Sequence, residues 1–192
     1  MRAIKNIFSH FYMYVIWLIL SYFLWGWIFG MVNDTTTYHK ISIYIDCASL
    51  EEMDLTLELE EDMPEGIKKV KVHSFDYVVF DDATMLMGDI FIIRESDLEG
   101  YLEVLQPITE LAAQGWPEYE TYDVEGEAYG IKIFDGETGE GILQDYVTWL
   151  KPGEDAQDFY LVFLADSVHL GDLNGSDDEA AFEMAERLLG MQ

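Results

Sequence analysis

Residues 11–32, FYMYVIWLILSYFLWGWIFGMV, form a run without a single charged side chain. Twenty-two residues at ~1.5 Å rise make about 33 Å of helix, enough to cross a hydrocarbon core of ~30 Å. In lipid the backbone must satisfy its own hydrogen bonds, so a lone span has to be helical. Aromatics gather at both ends, Phe11, Tyr12 and Tyr14 at one and Trp25, Trp27 and Phe29 at the other, where amphipathic rings favour the headgroups. Arg2 and Lys5 precede the run and Asp34 follows it. The positive-inside rule then makes residues 1–10 a cytoplasmic basic stub and places 33–192 outside the cell membrane. A cleaved signal peptide has a shorter apolar region ending in small residues. Here the run ends in Trp27, Ile28, Phe29, Gly30, Met31 and Val32, so the expectation is an uncleaved, single-pass anchor in the bilayer. Gly26 and Gly30 have the spacing that lets two helices pack closely, although chance places two glycines so more often.

The rest of the chain is acidic. All 38 aspartates and glutamates follow position 32, while Arg2 and Lys5 account for two of the ten lysines and arginines. A field of about −30 repels nucleic acid and anionic lipid, so neither is expected as a partner. Solubility explains so much acid most simply; attraction of cations or of a basic partner is the sharper reading. The one cysteine, Cys47, cannot form an internal disulfide and reads as a small buried hydrophobe. Roughly 160 residues suffice for one domain with a core.

Residues 33–40 read as a polar tether and 41–192 as an α/β domain. Ile41, Ile43 and Ile45 alternate with polar neighbours, a strand signal. Ser49 with Glu52, Ser96 with Glu99 and Ser176 with Glu179 have capping-box spacing and predict three helix starts. The first helix would present Leu50, Met53 and Leu57 on one face. A strand competes there, because Leu55, Leu57 and Leu59 also alternate, but the near-absence of β-branched residues favours helix. Val70 and Val72 alternate with Lys69 and Lys71 in a second strand over 67–75, and Lys68, Lys69 and Lys71 make the one basic patch after the anchor. Asp81 or Asp82 would cap a single turn over 83–87. Residues 89–93 are continuously apolar, as in a sheet covered on both faces. Leu98, Tyr101, Leu102 and Leu105 would be the buried stripe of the helix that follows. Residues 107–128 look irregular, 129–134 return to a strand, and 142–150 read as strand or short helix. Residues 159–164 give the strongest central-strand signal. A final helix over 177–189 carries Ala181, Met184, Ala185 and Leu188 on one face. This order predicts a single three-layer α/β domain with a mixed, mostly parallel sheet, preceded by one N-terminal transmembrane helix.

KISIYIDCASLEE, GIKKVKVHSF and GDIFIIRESDLEGYLEVLQPIT, followed by YGIKIFDG and DFYLVFLADSVHLGDLNGSDDEAAFEMAERLL, together resemble extracellular solute-binding proteins of ABC importers. Members of that family have two α/β lobes around a solute and a lipid anchor. The resemblance therefore implies a shortened, single-lobe version carried on a helix. It also implies ligand contacts at the carboxyl ends of the strands, at Ser49 after the first and at Arg94 and Ser96 after the third, as in open α/β sheets generally. Helix N-termini there would receive an anionic group. The simpler alternatives are that Ser49 and Ser96 are caps and that Arg94 pairs with a carboxylate. Trp116, with Tyr119 and Tyr122, would line a binding face unless it packs in the core.

Asp172, Asn174, Ser176 and Asp178 follow calcium-loop spacing superficially, but Asp177 stands where the loop needs glycine. No metal and no cofactor is expected. Neither His73 nor His169 has metal-ligand spacing to another His or Cys, and no nucleophile elbow or phosphate loop occurs, which leaves only a catalytic pair assembled by folding. The sequence thus predicts a membrane-anchored binding domain for a small solute or envelope protein, with an assembly subunit of an envelope complex as the alternative. Hydrolase activity is a distant third.

Overall fold

A helix that is apolar on every side has no polar face to turn to water. The computed structural model describes residues 11–33, 35–75, 88–176 and 178–191. It makes the opening run helix α1 (Phe11–Asn33). The window Phe11–Phe29 has none of its length buried, and α1 is the one helix among the described residues long and apolar enough to cross a membrane. The stub at 1–10, Asp34 and the turn expected over 83–87 lie outside the described residues. The chain divides into two units, Met1–Thr36 and Thr37–Gln192.

The second unit begins with β1 (Lys40–Ile45), β2 (Ser49–Leu50), helix α2 (Glu52–Glu60), β3 (Lys69–Ser74) and β4 (Ile90–Arg94). The one-turn helix α3 (Glu95–Leu98), a 3-10 segment (Glu99–Val104) and α4 (Thr109–Gly115) follow. The chain continues through β5 (Thr121–Val124), β6 (Glu127–Phe134), β7 (Val147–Thr148), β8 (Phe159–Phe163) and α5 (Ala180–Leu189). Six strands form a mixed sheet in the order β3-β1-β4-β8-β6-β5, and β2 pairs with β7 in a separate ladder.

The sheet is not mostly parallel. Only β3/β1 and β1/β4 run parallel; β4/β8, β8/β6 and β6/β5 are antiparallel. The reason is partly local. Glu125 (φ 55) and Gly126 (φ 92) make a two-residue turn between β5 and β6, and so short a link can join only antiparallel strands. This turn, α4 and β5 fall within 107–128, where the sequence shows no regular pattern. Within 142–150 the only strand is the two-residue β7.

Both sheet faces are covered, as the apolar runs of β4 and β8 require. Ile90 and Ile92 enter one buried cluster with Ile41, Ile43, Leu55, Leu59, Ala112 and the inner face of α5. Phe91 and Ile93 enter the other with Leu98, Leu105, Tyr160 and Val162. Ala181, Met184, Ala185 and Leu188 are fully buried, as the α5 stripe predicts. The guanidinium of Arg187 reaches from α5 to the carbonyls of Glu58 and Asp62 and ties the two helices' ends together.

Residues 52–60 are helix, yet the expected face is wrong. Leu55 and Leu59 are buried, while Met53 is 75% and Leu57 58% exposed. Leu55 and Leu59 stand four apart on a helix, so they share a face as readily as Met53 and Leu57 do. None of the three capping boxes forms. Ser49 is extended because it pairs with Thr148, and α2 starts after Glu51, with no side-chain cap. Arg94 is the residue before α3 and Ser96 lies inside it. Glu179 precedes α5, three residues beyond Ser176.

Candidate functional site

β1 and β4 are parallel neighbours, so their carboxyl ends come out side by side. The ladder continues one residue beyond β1, where the Asp46 N–H donates to Ile92 O at 2.9 Å. This sets the Asp46 carboxylate opposite Arg94, the last residue of β4. The guanidinium donates from Nε to Asp46 Oδ2 (2.6 Å) and from Nη2 to Asp46 Oδ1 (3.0 Å). Its Nη1 donates to Glu154 Oε1 (2.9 Å). The guanidinium carbon lies 5.6 Å from the centroid of the Phe159 ring, close enough for cation–π attraction.

Charge follows geometry here. Hydrogen bonding to Asp46, which outweighs the effect of burial, pushes the Arg94 pKa up. The Lys151 N–H and then Arg94 hold the Glu154 carboxyl below its usual range. Burial, with Asp46 and Glu52 nearby, raises the Cys47 thiol to about 12, so it is protonated at neutral pH. Arg94 therefore works as a clamp across β1, β4 and the 151–158 loop. Its charge is matched within the chain, and an anionic ligand would first have to displace two carboxylates.

The four residues expected to bind a ligand do not converge. Arg94 and Ser96 lie within one turn, Ser49 sits in the β2/β7 ladder, and Trp116 is in the core. Trp116 is only 4% exposed and stacks on Phe163, so it offers no binding face. Asp46 and Glu154, which determine what Arg94 can do, were missed; the signal for Asp46 was an acid directly after an apolar strand.

A second polar constellation is buried deeper. Asp89, at the entry to β4, accepts from the Ser42 N–H (2.8 Å) and from Ser167 Oγ (2.6 Å). Ser167 Oγ also accepts the His169 backbone N–H at 3.2 Å. The imidazole of His169 places Nδ1 2.7 Å from Asp178 Oδ1. Its Nε2 lies 3.0 Å from Thr37 O and 3.2 Å from Lys40 O. Both ring nitrogens thus face acceptors, which is the pattern of an imidazolium donating twice. Burial alone lowers its pKa, but Asp178, Asp89 and the Thr37 carbonyl together more than reverse this and leave it raised. Burial also raises Asp89, against the pull of its hydrogen bonds and of His169.

The loop that carries His169 is shaped for this contact. Gly171 (φ +55) donates its N–H to Asp178 O at 2.7 Å, and any Cβ there would collide with the Glu179 side chain. Asn174 Nδ2 donates to Ala165 O (2.9 Å) and Ser167 O (2.6 Å). Asn174 and Asp178, two of the residues with calcium-loop spacing, are thereby engaged in holding the loop. Chemically the network joins the entry of the domain to its last loop. A ring with both nitrogens donating has no lone pair to take a proton from a nucleophile, and the Ser167 hydroxyl faces a carboxylate instead of that ring.

Comparison with protein-family models, with curated proteins and with solved structures finds no match to this chain.

Proposed function

We propose that the chain is a membrane-anchored extracytoplasmic α/β domain that holds a protein partner at the cell envelope as an assembly subunit. The observation that carries this reading is the Arg94 clamp. At the strand ends, where an open α/β sheet takes a small ligand, the cation Arg94 is already held by Asp46 and Glu154. The anchor reading rests on α1, whose length and apolarity suit a bilayer. The orientation rests on Arg2 and Lys5 before it and the acid after it. The two buried clusters favour a three-layer domain, with α2, α4 and α5 over one sheet face and α3 with the 3-10 segment over the other.

Solute capture is the second reading, favoured by the element order shared with solute-binding proteins. In that reading the domain is a reduced single lobe. Affinity purification of the full chain from detergent-solubilised membranes separates the two. A constant stoichiometric envelope partner is the expected result. A lone monomer that retains a metabolite would contradict the assembly role and support capture.

A further inference from the structure

We propose that the outer edge of β3, with the groove between it and α2, is the docking surface for an acidic segment of a partner protein carrying apolar anchors. This deepens the assembly reading and rests on it. β3 ends the sheet order, so its far side pairs with no strand among the described residues. The Val70 and Ser74 N–H groups donate instead to carboxylates of α2, Glu60 Oε1 (3.4 Å) and Glu52 Oε1 (2.9 Å). Side chains standing in for a strand leave an edge that an extended segment can take over.

The groove beside that edge has a volume of about 410 Å³ and is lined by Glu52, Met53 and Leu57 of α2 and by Lys69, Lys71 and Val72 of β3, among others. Outside α1, the exposed large hydrophobics among the described residues are Tyr38, Met53, Leu57 and Val104. Two of the four face this groove, one helical turn apart. An acidic domain that hides nearly all its other large apolar side chains leaves these two in solvent.

Charge selects the partner. Lys40, Lys68, Lys69 and Lys71 are half of the lysines and arginines after the anchor. Arg94, Lys132 and Arg187 each have a carboxylate within ion-pair distance. Among the described residues Lys40, Lys68 and Lys69 have none. The β1/β3 register also sets Lys40 directly opposite Lys69, a like-charge pair that weakens the sheet edge. A carboxylate from outside would relieve it. An anionic membrane surface fits less well, because the rest of the domain carries the opposite charge, and a second copy of this acidic chain would be repelled.

The test uses the full chain in phosphatidylcholine nanodiscs and a fluorescein-labelled peptide alternating glutamate and leucine, with a lysine–leucine peptide as control. Saturable binding of the acidic peptide alone is expected, weakening as salt is raised. Lys69→Glu and Leu57→Gln should each lower the affinity at least tenfold, with the thermal transition retained. Lys69→Glu puts unlike charges opposite each other at Lys40, so its loss of binding cannot be ascribed to unfolding. The same variants should release the partner recovered from membranes. Equal binding by variants and wild type overturns the proposal, as does displacement of the peptide when the nanodisc lipid is phosphatidylserine, or self-association through this face. A partner retained by both variants removes this surface and leaves the assembly role standing. If no partner is recovered from membranes at all, the assembly reading fails, whatever the peptide does.

Discussion

Arg94 allows two readings from sequence, an anion site after an apolar strand and a pair with a nearby carboxylate, and the structure favours the second. What the local sequence does not reveal is that Asp46 and Glu154 are the carboxylates that reach it. Removing it should expose the clamp. Arg94→Met would take from Asp46, which is 3% exposed, the guanidinium that pairs with it, and breaking so buried an ion pair from one side costs about 3 kcal/mol. Urea unfolding of the detergent-solubilised chain measures this; a change within about 0.5 kcal/mol, the usual scatter for surface substitutions, would mean that Arg94 is no clamp. His169 makes a prediction with a sign. Its raised pKa means the protonated ring stabilises the fold fully below its ordinary value, about 6.5, and that this contribution fades as pH rises through the folded value. The raised Asp89 acts in the same direction from lower pH. The groups facing the ring are Asp178, Asp89 and the carbonyls of Thr37 and Lys40, with the Lys40 ammonium acting on Asp89. The melting temperature should fall as pH rises above the ordinary histidine value of about 6.5, and it should fall less in His169→Gln. Equal slopes in the two proteins would rule out a charged His169.

At the scale of elements, periodicity was legible where burial is two-sided or strongly one-sided. The continuous runs of β4 and β8 and the stripe of α5 follow directly from which side chains must leave water. The helix starts were not legible. Ser49, Ser96 and Ser176 all have the right spacing, but pairing with Thr148 keeps Ser49 extended, the Arg94 clamp ends β4 directly before α3, and the turn at Gly171 sets where α5 begins. Each of these is a long-range contact overriding a local signal. The same holds for α2, where Leu55 and Leu59 win the core over Met53 and Leu57 because the β1 and β3 faces lie on that side. Stability should follow. Leu59→Ala should cost about 2–5 kcal/mol, whereas Leu57→Ala stays within about 0.5 kcal/mol. Lys69→Glu should stabilise the β1/β3 edge by roughly 0.2–1 kcal/mol through Lys40. Thermal melts of the three variants check these values, and a destabilised Lys69→Glu would contradict the like-charge pairing.

For the whole molecule, the apolar run and the acidic remainder differ in what they can expose to water. α1 has no polar face, and the Thr37–Gln192 unit buries its apolar residues in two clusters on either side of one sheet. The strands β1, β3, β4, β6 and β8 and the helices α2 and α5 were legible; α4 and β5, within 107–128, were not, nor was the balance of parallel and antiparallel pairing, because it depends on where β8 inserts. The candidate site was less legible than the fold. Its decisive groups, Asp46, Glu154, Asp89 and Asp178, are four among many carboxylates, and sequence alone does not say which of them meet Arg94 or the polar network around His169. The central claim is that this acidic domain works outside the membrane from a helical anchor. Cys47 is a poor reporter of that, since burial holds its thiol protonated, so Cys47→Ala with Glu137→Cys, at an exposed turn, is the better probe. A membrane-impermeant maleimide applied to intact cells should label that cysteine as fully as it does after lysis. Labelling that appears only after lysis would contradict the account.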